Sequence, residues 1–448
     1  MNRNSKRSKS RVGFLMLAGA ALASLIIAPT VGSAALNGGA FFVKSVNEEN
    51  SEIFSISGMG SGNSNGGETP EVPTDPVDRS SIANYTIQTN LPSCSTPGLA
   101  FGSPAPTATI HWGDGQTTPA TTGQITHEYA TPGEYKIRIE GQVPAFATMT
   151  VAMATCIKGM DSWGEAMGTI SAANMFQYAN NLEYVPARLP STVTNTSQML
   201  GNTYIFNQDI SNWDVSNVTE AVGMFAGSAF NQDISGWDVS GITSMSNMFG
   251  NASKFNQDIS SWEVGQVTDF RNMFNGAGSF NQDLSDWDMS SATNLSGMFS
   301  RTRDFNQDIS AWDVSNVTSM ASMFENAKGF NTPINWGAKT AKLTDVTKMF
   351  YQAEAFNQRI TWDTSNVTTM REMFSLTKAY NQNVSDWSTA KLTNISKMFY
   401  GAQAFDQDLS GWKFAGSVNN TNLVVNSKMY SPYPDCNAKM PMGWRCVG

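Results

Sequence analysis

Residues 230–249 read Phe-Asn-Gln-Asp-Ile-Ser-Gly-Trp-Asp-Val-Ser-Gly-Ile-Thr-Ser-Met-Ser-Asn-Met-Phe, and variants of this sentence recur along the second half of the 448-residue chain. Its tryptophans stand at 213, 237, 262, 287, 312, 336, 362, 387 and 412, so the period is 24–26 residues over about 200 positions. A period that strict is the mark of units that stack, each burying its apolar face only against its neighbours.

Within the sentence, Ile210, Trp213 and Val215 fall at L-x-x-L-x-L spacing, as do Ile234, Trp237 and Val239, Leu284, Trp287 and Met289, and Ile309, Trp312 and Val314. That spacing predicts a short strand with these residues turned inward. Met245, Met248, Phe249, Ala252 and Phe255 then follow at i, i+3, i+4, i+7 and i+10, which predicts a short helix with Thr243 at its N-terminus. Strand and helix together predict an α/β leucine-rich-repeat-like solenoid of about ten short repeats whose strands form one parallel sheet. At ~4.8 Å per strand that sheet extends on the order of 50 Å. The tryptophans and the Met-Phe pairs are assigned to its core.

Around this array the chain divides into five segments. Five basic residues (Arg3, Lys6, Arg7, Lys9 and Arg11) precede an apolar run at 12–28 and small residues at 32–35, so residues 1–35 read as a secretory signal, either cleaved or kept as an anchor. Residues 36–80, dense in Gly, Ser, Asn, Pro and acids from 55 onward, read as a flexible linker or stalk. Residues 81–156 alternate in β fashion, for example Tyr85-Thr-Ile-Gln and Tyr135-Lys-Ile-Arg-Ile, and suit a small all-β sandwich. The array is placed at 157–416, with a degenerate entry, and residues 417–448 leave the period and form a cap. Oxidising surroundings favour disulfides. The pairing that brackets one local unit each is Cys94–Cys156 and Cys436–Cys446.

Two resemblances bear on these segments. Trp112-Gly-Asp-Gly115 followed by His127-Glu-Tyr-Ala-Thr-Pro-Gly-Glu-Tyr135 resembles the polycystic-kidney-disease (PKD) type of immunoglobulin-like domain, which implies a spacer or adhesive module. Turn and packing roles account for that motif: Gly113 and Gly115 permit a tight turn that Asp114 can bond, and Pro132-Gly133 makes another. His111 and His127, the two histidines of the chain, are accordingly read as structural rather than as a metal or catalytic pair. The array from Met160 to Trp412 resembles the BspA-type leucine-rich-repeat surface proteins, in the subgroup with Phe-Asn-Gln-Asp and Trp-Asp-Val-Ser lines, and this resemblance implies a secreted or surface protein with adhesive members.

Charge narrows the partners. The whole chain carries −9, and without residues 1–35 it would hold 37 acids against 23 bases, or −14. Such a surface disfavours nucleic acid and anionic lipid and favours a basic protein or cell-surface ligand. The acids fall in two ladders. One follows the tryptophans (Asp214, Asp238, Glu263, Asp288 and Asp313) and one closes the Phe-Asn-Gln-Asp line (Asp209, Asp233, Asp258, Asp283 and Asp308). Later rungs break at Gly337, Ser388 and Lys413 in the first ladder and at Pro333 and Arg359 in the second.

Like charges about 5 Å apart repel by roughly 3 kcal/mol at an effective dielectric near 20. Relief can come from Ser and Thr hydroxyls and amides, from calcium held between rungs, or from a basic partner. An asparagine ladder from Asn207 to Asn381, ending at Asp406, reads as structural. No Ser-His-Asp set, Cys/His metal spacing or phosphate-binding glycine loop occurs in the sequence, so no catalytic residue and no cofactor is assigned. The resulting expectation is an exported binding or adhesion protein that is not an enzyme, with a structural spacer as the alternative. Membrane insertion after signal removal is not expected, and no oligomeric state is assigned.

Overall fold

The computed structural model describes residues 83–163, 170–430 and 436–446. The expected signal and linker lie outside the described residues, and none of the described helices is long and apolar enough to cross a membrane.

The first described part is built of strands β1 (Ala83–Gln88), β2 (Gly98–Phe101), β3 (Thr107–His111), β4 (Thr117–Pro119), β5 (Gly123–Thr126), β6 (Glu134–Gln142) and β7 (Ile157–Ser162), with one helical turn, α1 (Val151–Ala154), before β7. Five strands make an antiparallel sheet in the order β4-β3-β6-β1-β7, and β2 pairs with β5 in a separate two-stranded sheet. Alternation explains the pairing: Tyr85 and Ile87 of β1 stand opposite Ile137 and Tyr135 of β6, so that Tyr85, Ile87, Ile137 and Ile139 are all buried. The Trp112 turn runs through Gly113 and Gly115 at φ +83° and +91°, values open chiefly to glycine. Cys94 is bonded to Cys156 and Cys436 to Cys446, as the spacing suggested. The first bond closes a loop of 62 residues, which restricts the unfolded chain by about 4 kcal/mol in the chain-entropy account.

The repeats do not form the expected α/β leucine-rich-repeat-like solenoid with a parallel sheet. Among the described residues the sheets are small and antiparallel and lie before residue 163, and the α-helix is the four-residue α1. The Ile-x-x-Trp-x-Val line is two tight turns, with Trp237 N–H donating to Ile234 O at 3.1 Å and Ile242 N–H to Val239 O at 2.9 Å. Each repeat contributes one single-residue parallel bridge, in the run Ser171, Asn195, Glu220, Ser244, Asp269, Asn294, Ser319, Asp345, Thr369, Asn394 and Asn419. These bridges are too short to be strands.

The Met-x-x-Met-Phe line, expected to be helical, fails for a specific reason. Asn247 and Asn251 sit at φ +58° and +57°, and the equivalent pairs 223/227, 272/276, 297/301, 322/326, 348/352, 372/376, 397/401 and 422/426 are left-handed too. A right-handed helix cannot pass through such residues. Met248, Gly250 and Ala252 donate three residues back, to Met245, Asn247 and Phe249, whereas the interleaved amides of Met245, Asn247, Phe249 and Asn251 donate to Asp269, Arg271, Met273 and Asn275 of the next repeat. Consecutive tight turns thus satisfy the same i, i+3, i+4 apolar spacing that a helix would, while half of the backbone bonds tie one repeat to the next.

The core follows from that stacking. Phe225, Phe249, Phe274, Phe299, Phe324, Phe350, Phe374 and Phe399 form one column with ring centroids 5.5–5.8 Å apart. The phenylalanines of the Phe-Asn-Gln-Asp line pack beside it, for example Phe255 at 3.8 Å from Phe249. Burying each such ring contributes ~1.5–3 kcal/mol before chain entropy is counted. All nine periodic tryptophans are buried, and each indole N–H donates to a carbonyl 27 or 28 residues earlier, at 2.7–3.3 Å, as Trp287 does to Ile259. The apolar core runs without a break from the sheet into the repeats, through Tyr85 against Phe176 at 6.3 Å and a bridge between Gly159 and Tyr184. At the far end Leu409 N–H bonds Lys439 O, and Trp444 stacks on Phe414 at 5.1 Å.

Candidate functional site

What the turns leave outside is polar and periodic. The asparagine ladder is structural: each Oδ1 from Asn207 to Asn381 accepts the backbone N–H of the matching residue one repeat on, at 2.7–3.0 Å, ending at Asp406. The glutamine beside it braces the same step, as Gln282 Nε2 does by donating to both O and Oδ1 of Asn256 at 2.9 Å. The Phe-Asn-Gln words therefore hold the stack in register.

The two acidic ladders are carried on Asx turns. Asp209, Asp233, Asp258, Asp283 and Asp308 each accept, through Oδ1, the N–H of the serine two residues on, at 2.9–3.0 Å. Asp214, Asp238, Asp288 and Asp313 do the same with Ser216, Ser240, Ser290 and Ser315 at 3.0–3.1 Å. Short aspartates suit this bond because Oδ1 reaches the amide of residue i+2. Glu263 departs from the pattern: its side chain is one methylene longer, Gly265 stands where the other repeats have serine, and no such bond forms.

These bonds set the electrostatics. Asp214, Asp238, Asp288 and Asp363 are held below the usual carboxylate range by the serine hydroxyl and then by its amide. For Asp209, Asp258 and Asp308 the amide leads and the hydroxyl follows. Repulsion between rungs is felt at Asp238, whose neighbour Asp214 opposes the shift without reversing it. The ladder aspartates are thus aimed by their turns and solvent-exposed, with Asp313 half-buried. Among the described residues no three His, Cys, Asp or Glu side chains converge to hold a metal ion.

A third set of Asx turns escaped the sequence reading. At the bridge positions Asn195, Asp269, Asn294, Asp345, Asn394 and Asn419 accept the N–H two residues on. The signal was the Asn/Asp-x-Ser/Thr spacing, present at five of these six positions, Asp269 being followed by Arg271. In the sheet part, His127 Nε2 lies 2.8 Å from Asp114 Oδ2 with its ring stacked on Trp112 at 4.7 Å, whereas His111 pairs with Glu140 at 3.1 Å. The two histidines serve different partners.

A family model described as Mycoplasma protein of unknown function, DUF285, matches residues 170–278, 258–360 and 335–433, three overlapping stretches that together cover more than half of the chain. No curated protein matches the chain. No solved structure does either.

Proposed function

The chain belongs to the DUF285 family of repeat proteins, and on that premise we propose that it is an exported, surface-associated binding or adhesion protein that meets a basic partner with its acidic ladders. The observation that carries this reading is the regular orientation of the carboxylates, with a pair of Asx turns in four of the five repeats from Asp209 to Asp313 and one turn, at Asp258, in the fifth. Carboxylates already fixed in place lose little freedom when a cationic surface arrives, and a negative field speeds its approach. Export rests on the basic and then apolar amino-terminal stretch of the sequence, and the sheet with its Trp112-Gly-Asp-Gly turn suits a PKD-like spacer.

The test exploits the isosteric change Asp→Asn, which keeps the Oδ1 acceptor of each turn and removes its charge. Aspartates 214, 238, 288 and 313 would be changed together, with Glu263→Gln, and binding to a polylysine-coated surface and to intact cells compared with the native chain. The expected result is at least a tenfold loss of binding at physiological salt with an unchanged far-UV spectrum. Binding that survives neutralisation would refute the role given to the ladders.

A further inference from the structure

The repeat stack ends on an open row of backbone donors. In each internal repeat four alternate amides donate to the next one, save that only Gly223, Phe225 and Gly227 do so in theirs; in the last such pair Ile395, Lys397, Phe399 and Gly401 donate to Asn419, Thr421, Leu423 and Val425. The equivalent amides one repeat on belong to Asn420, Asn422, Val424 and Asn426. That repeat keeps the same conformation, with Asn422 and Asn426 at φ +56° and +59°. Yet among the described residues those four N–H groups have no acceptor. Met429 and Met440 of the cap are buried against the apolar end of the stack. Between the two lies a cavity of about 490 Å³ lined by Asn420, Asn422 and Val424 on one side and Met440, Trp444 and Arg445 on the other.

An unpaired row of donors bordering an apolar wall is the template that extended peptides use when they add to a structured edge. The row offers N–H groups alone, so the visitor must supply carbonyls at every second residue. Its side-chain charge is set by the surroundings. Although the whole chain is acidic, residues 391–446 hold six bases (Lys391, Lys397, Lys413, Lys428, Lys439 and Arg445) against three acids, Asp406, Asp408 and Asp435. Arg445, in the cavity wall, and Lys428 have no ion-pair partner among the described residues. Coil-on-coil stacking by a second copy is disfavoured, because the opposite end of the array is already engaged: Ser171 is bridged to Ala145, its carbonyl accepts from Phe146 N–H, and Phe176 is packed on Tyr85.

We propose that the groove formed by the amides of Asn420, Asn422, Val424 and Asn426 together with Trp444 and Arg445 binds an extended acidic peptide segment of a partner protein. This site is independent of the acidic ladders, which sit on other residues and call for the opposite charge.

The full chain is titrated with a fluorescent peptide of alternating Val and Glu, eight residues long, and with its Val-Lys counterpart. Saturable binding of the acidic peptide and none of the basic one is expected. Residue-resolved hydrogen exchange should show the amides of 420, 422, 424 and 426 slowed at least tenfold by the acidic peptide, with those of 395, 397, 399 and 401 protected throughout. Arg445→Glu should weaken the acidic peptide about tenfold while leaving protection of the internal repeats unchanged, so a loss of binding cannot be ascribed to unfolding. Equal binding of both peptides, protection arising elsewhere, or self-association that the acidic peptide does not compete away would each overturn the proposal. Failure here leaves the ladder neutralisation result untouched, and the converse also holds.

Discussion

Replacing Asn256 by Ala removes the amide that joins two repeats. Its Oδ1 accepts the backbone N–H of Asn281 at 2.9 Å and Nε2 of Gln282 at 2.9 Å, all three residues being half-buried. Gln282 keeps its second bond, to Asn256 O, also at 2.9 Å. The Asn281 N–H has no alternative acceptor once Oδ1 is gone. A half-buried amide left unpaired costs ~1–2 kcal/mol and the lost glutamine bond somewhat under ~1 kcal/mol, so Asn256→Ala should destabilise by about 2 kcal/mol. Asn256→Asp retains both acceptor bonds and should cost less than half of that; Asp406 occupies the matching place in the final repeat. Guanidinium unfolding followed by the fluorescence of the buried tryptophans measures both, with unchanged slope expected for either variant. If Asn256→Ala shifts stability by less than ~0.5 kcal/mol, or if Asn256→Asp is as damaging, the ladder is not what registers the repeats.

Arg301 is exposed at φ +61°, where the matching position of an earlier repeat, Gly276, is glycine at φ +75°. Arg301→Gly should therefore stabilise the chain by about 1 kcal/mol in a thermal or denaturant melt, since an L side chain is disfavoured in the left-handed region; a loss of stability would show that the side chain matters more than the backbone. Tyr380 occupies a phenylalanine place in the ring columns, 3.8 Å from Phe374, with its hydroxyl buried and lacking a partner and its ionisation pushed far above the usual phenol range by that burial. Tyr380→Phe should raise stability by ~1–2 kcal/mol, and a decrease would reveal a hydrogen bond to bound water. Asp209, Asp214, Asp238, Asp258, Asp288 and Asp308 have folded pKa values below their unfolded ones. Their contribution is full above the unfolded value near ~4 and falls away as pH drops through the lower folded values. The denaturation midpoint should hold from pH 7 to pH 5 and decline towards pH 3. In the Asp→Asn variants the decline should be shallower, and an equal decline in both would locate the acid sensitivity elsewhere.

The candidate site was half legible. The positions of the carboxylates could be read from the period, and so could the inward turn of the tryptophans, because a large apolar side chain repeated every 25 residues has nowhere else to be buried. That each carboxylate would close a local turn also follows from the Asp-x-Ser spacing of Asp209 and Ser211 or Asp238 and Ser240. The helix was misread because Met245, Met248 and Phe249 fit a helical face and a train of tight turns equally well. The discriminating residues were the ones between: Asn247 and Asn251, Gly223 and Gly227, Asn272 and Gly276 are the types that tolerate a left-handed backbone.

Sequence alone determined the period of the repeats and the residues of the core, since these depend on local chemistry and on a period that survives substitution, and among the three possible cysteine pairings it favoured the one found. Tertiary structure decided where the backbone bonds go. The amide of Phe249 has its acceptor at Met273, 24 residues away, and no local propensity reports on a partner at that distance. That choice replaced helix and strand by turns and single bridges. It also left four donors at Asn420, Asn422, Val424 and Asn426 facing no further repeat.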